Sequence, residues 1–311
     1  MLVTGGAGFI GSQLVEALLA RDWPVRVLDD FSNGKIENLD FARQDKRFEL
    51  VNGSMLDRTI LSKALRGVKA VFHEAAIVSE LRSLEDPVSV NHVNVDGTLR
   101  LLLAAKQSGV EKFVLASSCG VYGNAAHFPT REDSQLAPRT PYAASKAAAE
   151  QYCMAFHRAF DMKVVCLRYA NVYGPRRSLG PYSGVMVKFA ERLRKDQPPI
   201  ILGDGQQTRD FVYSTDVAEA NARAAEVEEA AGKVLNIGTG ITTTIFDLAR
   251  LMEEITGKGA LGVEWDEARL GAIRFSQPDV SLATKLLGFE CKVSLREGLR
   301  KFIEWFNGNH R

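Results

Sequence analysis

The first eleven residues, Met1-Leu-Val-Thr-Gly-Gly-Ala-Gly-Phe-Ile-Gly11, constrain this chain more than any other stretch. Met1 to Thr4 reads as a short buried strand. The glycines then turn the chain, and residues 9–20 continue as a helix. Two spacings coexist, Gly5-x-x-Gly8-x-x-Gly11 and Gly6-x-Gly8-x-x-Gly11. In such a turn one glycine makes the bend, one lets the backbone approach a pyrophosphate, and one lets helix and strand pack closely. The helix start adds unpaired N–H groups and a partial positive charge. A second apolar strand, Val25-Arg-Val-Leu-Asp29, ends in an acid eighteen residues after Gly11. That is where a carboxylate grips the ribose hydroxyls of a dinucleotide. No basic residue stands there to receive a 2′-phosphate, so NAD is favoured over NADP.

The alternation continues along the chain. Strand-like runs at 47–51, 70–74, 112–117, 164–169 and 234–237 are separated by helical periodicity near 57–65, 88–108, 141–159 and 215–227. Short apolar strands between helices predict an α/β fold, a doubly wound parallel sheet covered on both faces, with the ligand at the carboxyl ends of the strands. After residue 169 the pattern loosens. Gly174-Pro175, Gly180-Pro181, Pro198-Pro199 and Gly203-Asp-Gly205 punctuate loops, and helices resume at 184–195, 244–256, 281–287 and 295–306. The expected division is a Rossmann domain over 1–171, rejoined by 211–238. A smaller, mixed α/β substrate lobe, from 172–210 and 239–311, would close over the cofactor.

Composition removes several classes of function. A formal net charge of +1 over 311 residues gives no reason to expect nucleic acid or an anionic membrane as partner. No apolar run approaches the roughly 18 residues of a membrane span. The chain enters its first strand directly, leaving no room for a signal peptide, so a cytoplasmic location is expected. Four cysteines without a CxxC pair and five scattered histidines predict reduced thiols and no metal site.

The most informative stretch for chemistry is Thr140-Pro-Tyr142-Ala-Ala-Ser-Lys146. Thr140 fits an N-cap and Pro141 the first helical position. Tyr142 and Lys146, four apart, then share a helix face. A phenol with a pKa of roughly 10 is a poor base at pH 7, but an ammonium and an oxidised nicotinamide ring nearby favour the phenolate. Such a tyrosine can take a proton from a hydroxyl as hydride leaves the same carbon. Upstream, Phe113-Val-Leu-Ala-Ser-Ser-Cys-Gly-Val-Tyr-Gly123 brings Ser117 or Ser118 to the carboxyl edge of the sheet.

These stretches, with His73-Glu-Ala-Ala76, Asn94-Val-Asp-Gly-Thr98, Arg168-Tyr-Ala-Asn-Val-Tyr-Gly-Pro175, Gly203-Asp-Gly-Gln-Gln-Thr-Arg-Asp-Phe-Val-Tyr213 and Leu235-Asn-Ile-Gly-Thr-Gly240, resemble the extended short-chain dehydrogenase/reductase family. The likeness covers essentially the whole chain. Within the family it is greatest to NAD-dependent UDP-sugar 4-epimerases of the UDP-glucose/UDP-galactose type. The resemblance implies Ser118 on the sugar 4-oxygen, Tyr142 as base, and Lys146 lowering its pKa and holding the nicotinamide ribose. It implies NAD contacts from Gly5, Gly8, Phe9, Ile10, Gly11, Asp29 and Asn33, and from Ser54, Met55, Ala75, Asn94, Ser117 and Tyr169 as well as Tyr142 and Lys146. For the UDP-sugar it implies Asn171, Arg209 and Arg269 at the diphosphate, with Gly184, Val185 and Ser276 along the sugar. Two arginines suit a diphosphate, because guanidinium forks bind phosphate oxygens bidentately.

The chain departs from the family at two contacts: Ser54 stands where an adenine-binding Asp is frequent, and Ala272 where an acid is frequent. Related dehydratases add an acid pair after the catalytic hydroxyl, and decarboxylating relatives a Glu; here those positions are Cys119 and Gly120. A 4-epimerase needs neither. Hydride leaves C4 to NAD, the 4-keto sugar turns over, and hydride returns to the other face. The small residues Ser276 and Gly184 imply room for an N-acetylated hexose. The alternatives are a UDP-glucuronate 4-epimerase, another nucleotide-sugar oxidoreductase of the family, or a non-catalytic NAD- or nucleotide-sugar-binding regulator. The resemblance further implies a homodimer formed through helices 88–108 and 141–159.

Overall fold

The structure, a computed structural model, describes residues 1–177, 183–268 and 273–308. The buried strand β1 (Leu2–Thr4) passes through the glycine turn into α1 (Phe9–Leu19). Next come β2 (Val25–Asp29), β3 (Phe48–Asn52) and α2 (Arg58–Ala64), whose first turn is capped by the Asp57 carboxylate. β4 (Ala70–His73) leads to α3 (Glu80–Glu85) and α4 (Pro87–Asn91). A π-helical turn over His92–Asp96 joins α4 to α5 (Gly97–Gln107). β5 (Lys112–Ser118), α6 (Pro141–Phe160) and β6 (Lys163–Tyr169) follow.

The second half of the chain is less regular. It holds β7 (Asn171–Tyr173), α7 (Val185–Arg194), β8 (Ile200–Leu202) and β9 (Thr208–Tyr213). α8 (Ser214–Glu226), β10 (Lys233–Ile237), β11 (Thr242–Thr244) and α9 (Ile245–Ile255) come next. β12 (Glu264–Asp266), α10 (Ser281–Leu287) and α11 (Leu295–Gly308) close the described chain.

Seven strands form one parallel sheet in the order β10-β6-β5-β4-β1-β2-β3. The order reverses between β1 and β4, which puts a ligand crevice at their carboxyl ends. Side-chain alternation supplies both faces. Val3, Val27, Phe72, Val114 and Val165 pack with Leu14 and Leu18 of α1 and Val217 of α8. Leu2, Leu28, Val71, Phe113 and Val164 pack with Leu61, Leu101, Leu102 and Cys153 of α2, α5 and α6. A three-stranded sheet, β11-β9-β7, and the pair β12-β8 lie outside the large sheet. Around them Tyr173, Phe189, Leu248 and Phe302 gather a third core, covered by α7, α9 and α11.

The doubly wound parallel sheet is as the sequence predicts, and its strands begin and end within one residue of the expected positions. The expected single helix over 88–108 differs. It begins at Pro87 and loosens into the π turn at 92–96. The cause is Asn94, whose amide is drawn out of helical register. Its Oδ1 accepts from Ile77 N (2.8 Å), and its Nδ2 donates to Ile77 O (3.1 Å) and Ser145 Oγ (2.9 Å). π turns of this kind frequently sit at functional sites. α3, β7, β8, β9, β11 and β12 fall outside the expected elements, because elements of three to six residues show no readable period.

A buried ion pair ties β6, second from one edge of the sheet, to α6. Arg168 of β6, 3% exposed, forks Glu150 of α6, 1% exposed, at 2.8 and 3.0 Å. The guanidinium also donates to the Tyr122 hydroxyl (2.8 Å) and the Glu132 carbonyl (3.0 Å). Tyr122 in turn donates to Asn236 Oδ1 on β10 (2.7 Å). Removing one partner leaves the other charge buried and unopposed. Arg168→Met is therefore expected to lower unfolding stability by about 3–5 kcal/mol, read by urea denaturation. A loss below about 1 kcal/mol would mean that water or another cation replaces it.

Candidate active site

The site begins at the glycine turn. Gly5 has φ +69°, and a Cβ there would lie 2.7 Å from the Ala75 backbone. Gly8 caps α1 without a side-chain bond, and its N–H is donated back to Gly5 O (3.0 Å). The first amides of α1 thus face outward with no side chain competing for them, a cradle that fits a pyrophosphate. Phe9 and Ile10 open the helix, and Gly11 is buried against the turn. At the end of β2, Asp29 accepts from Ala7 N (2.8 Å) and Phe31 N (2.9 Å); burial raises its pKa against those two bonds. Asn33 lies in the turn after β2. Ser54 and Met55 follow the neighbouring strand end, where the Ser54 hydroxyl accepts from Leu56 N (3.3 Å) and Met55 packs on Gly97.

The catalytic candidates meet at the ends of β5 and α6. The Thr140 hydroxyl accepts from Ala143 N (3.2 Å), fixing the start of α6 with Pro141 in its first turn. One residue on, the Tyr142 phenol is hydrogen-bonded to Ser118. Burial pushes the phenol well up, and the Ser118 bond opposes this. Lys146 is buried on the same helix, its ammonium donating to Ala116 O (2.9 Å). Burial pulls that lysine down to about 8, against the charges of Glu74 and Glu150. The pairing anticipated from the spacing of Tyr142 and Lys146 therefore takes the form of a shared helix face, with each polar tip bonded to β5.

Two expected cofactor contacts are committed elsewhere. The Ser117 hydroxyl donates to Glu150, on the ion pair behind the site. The Asn94 amide clamps Ile77 and Ser145, and Ser145 in turn donates to Tyr142 O (2.7 Å). Both side chains are thus hydrogen-bonded within the protein beside the presumed cofactor site. Tyr169, at the end of β6, donates to Glu74 Oε1 (2.7 Å) and accepts from Asn221 Nδ2 (2.7 Å). Burial raises Glu74 to about 7. Beneath it His73 is held between Thr4 (2.7 Å) and Thr98 (2.8 Å), and burial brings it down to about 3, so it stays neutral. The sequence reading missed Glu74, Glu150 and Asn221. The signal for Glu150 was its place one turn after Lys146.

Towards the smaller sheets, Asn171 opens β7, separated from the end of β6 by the single residue Ala170. Arg209, on β9, is desolvated enough to lower its pKa, with Glu80 the charge opposing this. Its Nη1 donates to Thr208 O (2.7 Å). Gly184 caps α7 and Val185 begins it; a Cβ on Gly184 would lie 2.8 Å from Arg177 Nη2. Ser276 stands two residues after Arg274, whose carbonyl accepts from Thr208 N (3.0 Å), so it lies beside the strand that carries Arg209. Arg269 and Ala272 fall outside the described residues. Cys119 is buried with its thiol on Arg168 O (3.3 Å), which leaves no acid at positions 119 and 120. Among the described residues no group of three or more His, Cys, Asp or Glu could hold a metal ion, and no helix is long and apolar enough to cross a membrane.

A glycine cradle at the switch point of a parallel sheet, beside a Ser–Tyr pair and a buried lysine, defines a dinucleotide-dependent oxidoreductase-type site. The chain belongs to the NAD dependent epimerase/dehydratase family, whose pattern it matches over residues 1–238. NAD is its cofactor, and it is an enzyme of the epimerase type. It is 40% identical to a UDP-glucose 4-epimerase of Mycolicibacterium smegmatis, over 98% of this chain and 97% of that protein. A solved UDP-glucose 4-epimerase of Thermotoga maritima, with UDP-glucose, superposes with TM-score 0.93 at 38% identity, covering 100% of this chain and 99% of the other. A UDP-glucuronic acid 4-epimerase of Bacillus cereus, in complex with UDP-glucuronic acid and NAD, gives 0.92 at 32%, covering 99% of each.

The raised Glu74 carboxyl makes a prediction for stability. Its folded pKa, about 7, lies above its ordinary value of 4.5, so the folded chain keeps a proton that the unfolded chain releases. The stabilisation is fully present below about pH 4.5 and is lost as pH rises through about 7. The parent's stability relative to Glu74→Gln should fall across that window, as read by urea denaturation in pH steps. A difference independent of pH would place the carboxyl at an ordinary pKa.

Proposed function

We propose that the protein interconverts the C4 epimers of a UDP-hexose through a transient 4-keto sugar. The observation that carries this reading is the Tyr142–Ser118 hydrogen bond beside Lys146, with Cys119 sealed and Gly120 bare where a further acid would stand. Bound at the glycine cradle, NAD supplies a reversible acceptor for the C4 hydride. Gly5, Gly8, Gly11 and the start of α1 hold its pyrophosphate, and Asp29 its ribose. Ser118 orients the sugar 4-oxygen. Tyr142, its phenolate favoured by the positive ring, takes the hydroxyl proton and later returns it. Lys146, depressed by burial, carries its charge between the phenol and the ribose. Arg209 and Asn171 hold the diphosphate, joined by Arg269. Residues 172–210 and 239–311 form the lobe that closes over the sugar, on a Rossmann domain of 1–171 and 211–238.

Exposed Val88, Leu103, Tyr152 and Phe160, at 76, 44, 40 and 46%, lie on the helices of the proposed homodimer interface. Light scattering on the purified chain tests the dimer, and a monomer at micromolar concentration would overturn it. Four unpaired thiols suit a reducing, cytoplasmic setting.

Tyr142→Phe removes only the proton acceptor. It should lower kcat at least about a hundredfold while UDP-sugar affinity stays within about threefold, measured by product NMR and calorimetry. In the parent no NADH should accumulate in step with product. Stoichiometric NADH would replace the epimerase reading by a dehydrogenase.

Ser276, half-buried near Arg209, lines the sugar subsite in this reading and leaves room for a C2 acetamido group. Ser276→Tyr should depress kcat/KM for UDP-N-acetylglucosamine relative to UDP-glucose by about tenfold, since overpacking costs about 1–3 kcal/mol. An unchanged ratio would remove Ser276 from the sugar subsite.

A further inference from the structure

The carboxyl of Glu74 stands at the wall of the glycine cradle, and the proposed reaction gives it no part. Glu74 is the first residue past β4, and its N–H donates to Thr4 O of β1 (3.2 Å). A Cβ on Gly5 would lie 3.0 Å from the Glu74 carbonyl carbon and 2.7 Å from the Ala75 backbone, so the two segments touch at the turn. Tyr169 fixes the carboxyl: its hydroxyl donates to Oε1 (2.7 Å) and accepts from Asn221 of α8 (2.7 Å). Tyr169 pairs in register with Ser118, the residue bonded to the Tyr142 phenol. The Tyr169–Glu74 bond therefore runs from β6 to β4 across the end of β5. Glu74 is half-buried, so it is not sealed from the cleft.

Strand order gives the course of the cofactor. Asp29, proposed for the adenosine ribose, ends β2, and the pyrophosphate cradle joins β1 to α1. β4 and β5 lie on the other side of β1. The nicotinamide half must run that way to reach Tyr142 and Lys146, and it crosses the end of β4 at Glu74. The charged or titratable groups around the carboxyl are Lys146 and Tyr142 from α6, Tyr169 from β6 and the neutral His73 on its own strand. Thr4 of β1 and Asn221 of α8 are uncharged, and the first turn of α1, Phe9 to Ser12, carries no charge.

We propose that Glu74 sets the redox balance of the bound cofactor, its carboxylate facing the nicotinamide and stabilising NAD over NADH. Hydride leaving C4 carries an electron pair to the ring and removes the ring's positive charge, while the hydroxyl proton goes to Tyr142. Glu74 exchanges no atom with the sugar. Its negative charge attracts the ring before that step and has no cation to attract there after it. The reduced state is thereby raised and return of hydride to the keto sugar favoured, which limits escape of the keto sugar with NADH left behind. The inference rests on the nicotinamide lying beside Tyr142 and deepens the epimerase reading. Burial raises the carboxyl to about 7 in the protein alone, so a positive ring draws it into the ionised form on binding.

The test exchanges NADH against NAD on the NAD-loaded enzyme, with the exchange constant read by NADH fluorescence between about pH 5.5 and 7.5. In the parent the preference for NAD should rise about fivefold or more across that range, as Glu74 ionises. Glu74→Gln should lower the preference at the upper pH by about fivefold or more and hold it within about twofold across the range. Tyr169→Phe keeps the carboxyl but removes a hydrogen bond to its charged form, so the rise should persist with its midpoint moved to higher pH. Damage to the cradle weakens both cofactors alike and cannot produce these changes of ratio. A preference that Glu74→Gln leaves within about twofold of the parent at every pH overturns the assignment, as does a parent preference that does not move with pH. The exchange needs no sugar, so a failure of turnover bears on the epimerase reading alone.

Discussion

The Arg168–Glu150 pair is the interaction on which the site depends. It sits behind the ends of β5 and α6, and its members reach every element that carries a catalytic candidate. Glu150 lies one turn after Lys146 and takes the Ser117 hydroxyl, and Ser117 is the neighbour of Ser118. Arg168 precedes Tyr169, which bonds Glu74. A buried charge pair contributes little to net stability, since desolvation offsets most of its attraction. What it supplies is geometry. A forked guanidinium accepts a carboxylate in one plane only, so β5, β6 and α6 are locked in register at the point where Ser118 and Tyr142 must meet. The surrounding Tyr122, Asn236 and Glu132 bonds extend that lock to β10 at the edge of the sheet.

Burial then sets the charge of each reacting group. Tyr142 is pushed up and Lys146 down by the same cause, removal from water. Glu74 is pushed up and His73 down. Each shift favours the neutral form, which leaves Lys146, at about 8, as the group that keeps its charge at neutral pH. In the reading proposed above, a positive nicotinamide ring adds its charge to that of Lys146 beside the phenol, in a site where burial limits screening. On this reading the tyrosine becomes a base only in the loaded enzyme, which ties proton transfer to the presence of the hydride acceptor.

The large sheet was legible because its signals are local and repeated. β1 and the glycine turn, the acid ending β2, and the capped start of α6 are each read from adjacent residues. The short strands β7, β8, β11 and β12 were not, because three residues carry no period and their pairing is decided by partners far along the chain. In the site, residue identity was legible but side-chain direction was not. Ser117 and Ser118 are adjacent hydroxyls on one strand, and alternation sends one to the phenol and the other to Glu150. Asn94 looked like a ligand contact within a motif, yet its amide is consumed by Ile77 and Ser145.

The placement of Asn171 explains why the chain crosses repeatedly between the parts assigned to cofactor and to sugar. β6 ends at Tyr169 and β7 begins at Asn171, so a single residue, Ala170, separates the group that anchors Glu74 from the one proposed for the diphosphate. Ala170 N donates to Ile237 O (2.8 Å), and this bond fixes the bend at the edge of the large sheet. The return is equally short. β9 carries Arg209 and runs directly into α8, which packs on α1 and holds Tyr169 through Asn221. Between them the fully buried Asp210 accepts from Thr239 N (2.9 Å), Thr239 Oγ1 (2.7 Å) and Gly240 N (2.7 Å), binding the strand to the segment after β10. A shift of β9 strong enough to move Arg209 must strain those bonds and the Asn221–Tyr169–Glu74 chain with them. In the reaction proposed above, the diphosphate contacts and the surroundings of the phenol are thus connected through few residues and little slack, which suits a sugar held by its phosphate while the ring turns over.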